Sequence, residues 1–151
     1  MNQNNLLPEY PEECIHVLFI QENPMEVELT SEVIISEFPD LFKDKNVYGL
    51  QCNKGWFPLI YEMCRELSQG VKEDSLDRLT IVQIKEKFGG LRVYIHHGND
   101  RARAIYEKAA RRAETTCELC GSEHAKMTER GGFYQTVCGP CYQREIQRTR
   151  S

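Results

Sequence analysis

The chain has 151 residues, which is the size of one ordinary domain. Its 40% hydrophobic and 28% charged residues are typical of a globular protein and exclude a chain that is disordered over most of its length. The formal net charge of −4 excludes the strong positive field of a typical DNA-binding domain.

The charge is unevenly distributed along the chain. Residues 1–50 hold ten acidic side chains against two lysines, a balance of −8, whereas residues 101–151 have a balance of +4. An acidic first third fits a protein partner, or mimicry of nucleic acid, better than direct contact with phosphate.

The chain shows no signal peptide and no apolar run near the roughly 20 residues that a membrane span needs, so we expect a soluble, cytoplasmic protein. Because that compartment is reducing, its seven cysteines indicate a metal site plus free thiols rather than disulfides.

The first part of the chain predicts little regular structure. Residues 1–12 are polar and contain prolines, so we expect an irregular lead-in, and the apolar run at residues 14–20 predicts a strand. Two interpretations stay open for residues 25–38: the β-branched residues favour a strand, whereas a rough helical spacing favours an irregular helix. Pro39 ends this stretch.

A helix is predicted to begin near Trp56, with Pro58 in its first turn, where a missing backbone N–H costs nothing. Its buried face repeats at the spacing i, i+3, i+4, i+7 and comprises Ile60, Met63, Cys64 and Leu67. We expect Trp56 to anchor the core and Gly70 to end the helix.

A β-hairpin and a second helix follow. Residues 79–86 and 91–96 are rich in β-branched residues, and Phe88-Gly89-Gly90 between them predicts the hairpin turn. Asn99 is expected to cap a helix that runs to about Thr115. The inner stripe of this helix would be Ala102, Ile105, Tyr106, Ala109 and Ala113.

Four cysteines near the carboxyl end carry the strongest chemical signal. Cys117 and Cys120, and then Cys138 and Cys141, form two C-x2-C pairs separated by seventeen residues, a spacing typical of four-cysteine zinc sites. Two residues between cysteines let both sulfurs point at one metal ion about 2.3 Å away. The strand-like segments between the pairs predict a hairpin that brings them together, as in a zinc ribbon. Four protein ligands leave no open coordination position, so we expect one structural Zn²⁺ ion.

Other interpretations of the cysteines are weaker. The four could form two disulfides or remain unrelated thiols, and His124 could replace one of them as a ligand. The remaining three, Cys14, Cys52 and Cys64, follow no ligand spacing, and we expect them to be core residues.

The predicted fold is therefore α+β, with a small antiparallel sheet packed against two or three helices and a C-terminal four-cysteine zinc ribbon. The predicted divisions are an acidic segment of uncertain fold at 1–35, an α+β core at 36–115, the ribbon at 116–142 and a basic tail at 143–151.

Several motifs resemble a family of small zinc-ribbon proteins that are common in bacteriophages and prophages. The matching blocks are Phe38-Pro39 with Leu41-Phe42, Tyr48 to Cys52, Gly55 to Ile60, Lys85 to Tyr94, and Cys117 to Gly121. The resemblance covers residues 36–142 and implies action in a host cytoplasm. Residues 1–35 lie outside it and could add partner specificity. It carries no catalytic residue over to this sequence.

Five cations form a candidate binding surface: Lys85, Lys87, Arg92, Arg111 and Arg112. The first three should cluster around the hairpin turn, with the ring of Phe88 beneath the sheet. They are either a contact point for phosphate or an acidic partner, or ordinary solvated side chains of a turn.

Three functional classes compete. We expect a zinc-stabilised, phage-type binding protein that acts by protein–protein interaction on a host or defence factor. The alternative is a zinc-ribbon protein that binds nucleic acid through the basic C-terminal third. An enzyme such as a nuclease comes last, because the sequence has no Gly-rich nucleotide loop, no His-Glu-x-x-His motif and no nucleophile–base pair. His96 and His97 are adjacent on a predicted strand and would face opposite sides.

Overall fold

Four helices and two small sheets make up the structure, a computed structural model that describes residues 28–44 and 48–151. In chain order the elements are α1 (Ser31–Glu37), β1 (Leu50–Gln51), α2 (Phe57–Glu73), β2 (Thr80–Lys87), β3 (Gly90–His96), α3 (Asp100–Ala113), β4 (Lys126–Arg130), β5 (Phe133–Val137) and α4 (Gly139–Arg150). The predicted α+β class is confirmed. The strand predicted at 14–20 and Cys14 lie outside the described residues.

Helix α1 resolves the ambiguous stretch before Pro39. The backbone N–H of Val33 donates to the Thr30 hydroxyl at 3.2 Å, which caps the helix start, and the side chain of Ile34 is fully buried. For residues 31–37 the strand interpretation is wrong, because a local cap and burial of one side chain outweigh the β-branched composition.

Helix α2 begins one residue after Trp56, at the end of a 3-10 turn formed by Lys54–Trp56. Trp56 and the predicted inner face are buried. The predicted end at Gly70 is wrong, since the helix continues to Glu73 and the Asp74 N–H donates to the Gly70 carbonyl at 2.9 Å. Gly70 does not adopt the left-handed conformation that ends helices, and its position lets the Arg101 side chain lie against it.

The main sheet has the order β1-β2-β3. Strands β2 and β3 form the predicted antiparallel hairpin, with Lys85 opposite Arg92, whereas the short β1 pairs with β2 in parallel. Helices α1, α2 and α3 share one apolar core with the inner face of this sheet. These three helices therefore contribute to the apolar core on the same side of the sheet.

Helix α3 follows the prediction closely. The Asn99 side chain accepts a hydrogen bond from the Ala102 N–H at 2.9 Å, and the alanines of the inner stripe are buried. Of the two predicted core cysteines within the described ranges, Cys64 is buried and Cys52 is half-buried.

A second, smaller unit completes the chain. Strands β4 and β5 form an antiparallel hairpin, and α4 begins at Gly139, so residues 143–150 of the predicted tail are helical. This unit has its own small core, in which Ala125 and Val137 pack with three of the cysteines. The division at residues 35 and 36 stays a prediction, and it falls within α1. Among the described residues, no helix has the length and apolar character needed to cross a membrane.

Candidate metal centre

Four cysteine sulfurs meet at the base of the small unit. Cys117 and Cys120 belong to the loop after α3, Cys138 is the N-cap residue of α4, and Cys141 lies in the first turn of that helix. Their Sγ atoms all lie within 4.8 Å of one another. Cys120 is exposed and the other three are buried, so the cluster lies near the surface.

The spacing of the sulfurs fits a tetrahedral metal ion. The Sγ atoms of Cys120 and Cys138 are 3.6 Å apart. Sulfurs at the corners of a tetrahedron with metal–sulfur bonds of about 2.3 Å lie about 3.8 Å apart. The four cysteines are free thiols rather than disulfides, and His124 is exposed and not part of the cluster. The cluster could therefore hold one metal ion with four sulfur ligands.

The local environment shifts the pKa values of the cysteine thiols in different directions. Burial raises the pKa of Cys117, but backbone hydrogen bonds from Cys138, Cys120 and Leu119 outweigh this and hold that pKa at about 7. Burial raises the pKa of Cys141 to about 12, although the Arg144 guanidinium, 3.0 Å from its sulfur, works in the opposite direction. Arg144 thus supplies a hydrogen bond that favours the thiolate form a metal ion requires.

Backbone turns shape the first cysteine pair. The Gly121 N–H donates to the Cys117 carbonyl at 2.8 Å, and Gly121 has a φ of +81°, a conformation that glycine adopts without strain. The Cys117 N–H donates to the Ser122 carbonyl at 2.7 Å. These two bonds fold the loop over its sulfurs.

The cysteine loop is also fixed to the main core. The Gly55 N–H donates to the Glu118 carbonyl at 2.8 Å, and the Trp56 indole N–H donates to the Thr116 carbonyl at 2.8 Å. The buried Glu118 carboxylate accepts hydrogen bonds from both the backbone and the side chain of Asn53, at 3.3 and 2.9 Å. Burial raises the pKa of this carboxyl group, and the Asn53 bonds partly offset the effect.

The β2–β3 turn makes a further contact with the small unit. The buried Thr136 hydroxyl donates to the Gly89 carbonyl at 2.7 Å, and the Met127 side chain packs against Gly89. We call this whole contact, from Asn53 to Trp56 and at Gly89, the seam. Sequence motifs that are far apart in the chain therefore meet at one place.

The expected position of Phe88 beneath the sheet is wrong. Phe88 has a φ of +51° and a side chain that is 64% exposed, because the turn directs the ring outward. The ring meets Tyr134 of the hairpin β4–β5 edge to face, with centroids 6.1 Å apart, and the Lys87 ammonium lies 5.7 Å from its centroid.

The five candidate surface cations separate into two groups. Lys85, Lys87 and Arg92 lie on the side of the sheet that faces away from the helices, and none is part of a described ion pair. Arg111 and Arg112 lie in the last turn of α3, where Arg112 forms an ion pair with Glu62 of α2.

Sequence reasoning missed four exposed apolar side chains that the fold brings together. Phe88, Met127, Phe133 and Tyr134, which we call the aromatic cluster, are 64%, 54%, 60% and 38% exposed.

No protein-family profile matches the chain, and no curated protein or solved structure matches it significantly.

Proposed function

We propose that this chain is a zinc-stabilised protein that acts by binding another protein, with the aromatic cluster as the contact surface. The single observation that carries this proposal is the exposure of three aromatic rings and a methionine at the junction of two hairpins. A binding role rather than a catalytic one also suits a metal ion whose four ligands all come from the protein.

Zinc is the metal that best suits the site. Four thiolates in a tetrahedral arrangement favour zinc or iron among the common metals. Zinc held this way supplies folding free energy, in apparent terms roughly 10–16 kcal/mol in small zinc domains. Metal analysis of freshly purified, reduced protein should return about one equivalent of zinc, and Cys138→Ser should lose it while Cys52→Ser retains it. Iron, or no metal, would contradict the assignment.

An apolar surface of this kind favours a protein as the partner. Aromatic residues and methionine are enriched at protein interfaces, and exposed contiguous apolar patches often mark interaction sites. An open cleft of about 320 Å³ lies between the two hairpins and is lined by Glu86, Lys87, Phe88, Gly132, Phe133 and Tyr134. This cleft is large enough to receive an anchoring side chain of a partner.

The seam supports the same role. Because the Thr136–Gly89 bond and the Gly55–Glu118 bond join the two units, the two hairpins are held in one arrangement before any partner arrives. A preorganised surface loses less conformational entropy on binding. The resemblance to phage proteins supports a host or defence factor as the partner, and the −8 balance of residues 1–50 would complement a basic surface on it.

A capture experiment tests the proposal. Full-length, zinc-loaded protein is used to retain binding partners from a bacterial lysate, in parallel samples with and without nuclease treatment, and it is compared with Phe88→Ala/Tyr134→Ala. We expect the double variant to lose the retained protein, because it removes the centre of the cluster.

Tyr48→Ala is the matched control, since Tyr48 is 72% exposed but lies outside the cleft. Thermal melts must show that all three proteins are folded. Equal retention by the wild type and the double variant would overturn the proposal, as would loss of the retained material on nuclease treatment.

A further inference from the structure

The outward side of the β1-β2-β3 sheet has a composition different from that of the aromatic cluster. Alternation along the strands directs Ile84, Leu91 and Val93 to the core. The outward positions of β2 and β3 are Thr80, Gln83, Lys85, Lys87, Arg92, Tyr94 and His96. None of these residues is acidic or aliphatic. Val82, at the bulge between Ile81 and Gln83, is half-buried and belongs to neither apolar core, so it is the one aliphatic residue on this side.

The cations of this side are available to a ligand. Every described ion pair lies elsewhere: Arg101, Lys108 and Arg112 of α3 bind acidic side chains of α2 and its C-cap residue Asp74, and Arg148 binds Glu145 within α4. Four cations of the described helices are thus offset by neighbouring carboxylates. No described carboxylate forms an ion pair with Lys85, Lys87 or Arg92.

The arrangement along the strands places cations beside a flat ring. Lys85 lies directly opposite Arg92, and the next outward pair is Gln83 opposite Tyr94. Successive outward pairs are about 7 Å apart, twice the rise per residue of a strand. Tyr94 is 43% exposed, and the Gln83 amide donates to the Gln51 side chain of β1. The outward side of the sheet therefore presents the cations Lys85 and Arg92 and, one outward pair further along the strands, the Tyr94 ring beside the Gln83 amide.

We propose that this sheet side binds a single-stranded nucleic acid, with Lys85, Lys87 and Arg92 on its phosphates and Tyr94 stacked on a base. Cations that follow a backbone, together with an aromatic platform for bases, form the combination that such strands require. A protein partner is disfavoured here because Val82 is a single half-buried aliphatic residue on this side, whereas the centre of a protein interface is a cluster of apolar residues. This site goes beyond the proposed protein contact and shares only Lys87 with it, because Lys87 also lines the cleft between the hairpins.

Fluorescence anisotropy with a labelled twelve-residue oligothymidylate tests the proposal on the full-length, zinc-loaded protein. Three phosphate contacts predict that log Kobs falls with log[salt] with a slope of about −2, because each contact to a single strand contributes about −0.7. Affinity should thus fall roughly 20-fold between 50 and 200 mM salt. Lys85→Glu/Arg92→Glu should weaken binding at least tenfold.

The control Lys72→Glu/Arg78→Glu makes the same change in net charge at two exposed sites outside the sheet and should change binding by less than threefold. Stacking is tested separately: Tyr94→Ala should weaken binding about fivefold or more, whereas Tyr94→Phe should retain it. This pair keeps the proposal testable if the charge-reversed variant fails to fold.

Several results would overturn the proposal: absence of binding at 50 mM salt, an equal loss in the control pair, equal binding by Tyr94→Ala, or preference for a duplex of the same length. The aromatic cluster is scored by protein capture and the sheet side by oligonucleotide binding. Each proposal can therefore fail without the other.

Discussion

Gly55 shows how one residue can determine whether the two units fit together. A Cβ atom at this position would lie 2.3 Å from the Cys117 carbonyl oxygen and 2.4 Å from that of Glu118. Both are backbone atoms of the cysteine loop, and they cannot move aside without moving the sulfurs. Glycine is thus required here by the close approach of two chain segments.

We expect Gly55→Ala to destabilise the protein by about 1–3 kcal/mol, the usual cost of forcing extra atoms into a packed contact. The measurement is urea unfolding of the zinc-loaded protein. Gly139→Ala is the control, because a Cβ at Gly139 would meet no atom within 4 Å. A Gly55→Ala protein as stable as the control would show that the seam can open without cost.

Asn53 has a comparable role in the electrostatics of the seam. Its two donors satisfy the Glu118 carboxylate, which is 3% exposed. Asn53→Ala should cost about 1–3 kcal/mol, since it removes the side-chain partner of a buried acceptor. Asn53→Asp should be worse at pH 7, because two carboxylates would then face each other. Thermal unfolding measures the stability of both variants, with Lys54→Ala at an exposed position as the control. An Asn53→Asp protein more stable than Asn53→Ala would contradict this role of Asn53.

Two groups of elements have separate cores. The core beneath β2 and β3 draws on α1, α2 and α3, whereas the core around β4, β5 and α4 is built from cysteines, Ala125 and Val137. The second group is too small to fold on apolar burial alone, and a metal ion held by its four cysteines would supply the missing stability. The first group has ample apolar residues of its own.

Removal of the metal ion by a chelator should therefore unfold the second group and leave the first folded. Hydrogen exchange read by mass spectrometry is expected to show loss of protection across residues 116–142 and retained protection in α2 and β2. Adding zinc back should restore the original pattern. A single transition in which every amide loses protection together would show that the seam couples both groups into one folding unit.

At the scale of the whole molecule, ion pairs between helices offset part of the positive charge of the C-terminal third. The C-terminal surplus suggested a basic region, but Lys108 and Arg112 bind Glu66 and Glu62 across the α2–α3 contact. Those pairs are partly exposed and contribute little to stability. The cations left without carboxylate partners on the sheet are the ones we assign to a ligand.

The sequence by itself determined the parts that depend on local pattern. The two cysteine pairs, the hairpin at Phe88-Gly89-Gly90, the Asn99 cap and the inner face of α2 all follow from spacing within a few residues. Such patterns are readable because caps, turns and amphipathic faces act over one or two turns of chain.

Only the tertiary structure decided the rest. Phe88 points outward and contacts Tyr134, and Gly55 contacts Glu118. Both contacts join residues that are more than forty positions apart in the chain. The conformation of α1 and the continuation of α2 beyond Gly70 likewise depend on packing against other elements. Long-range contacts of this kind leave no periodic trace in a sequence, because each depends on where two separate segments come to lie.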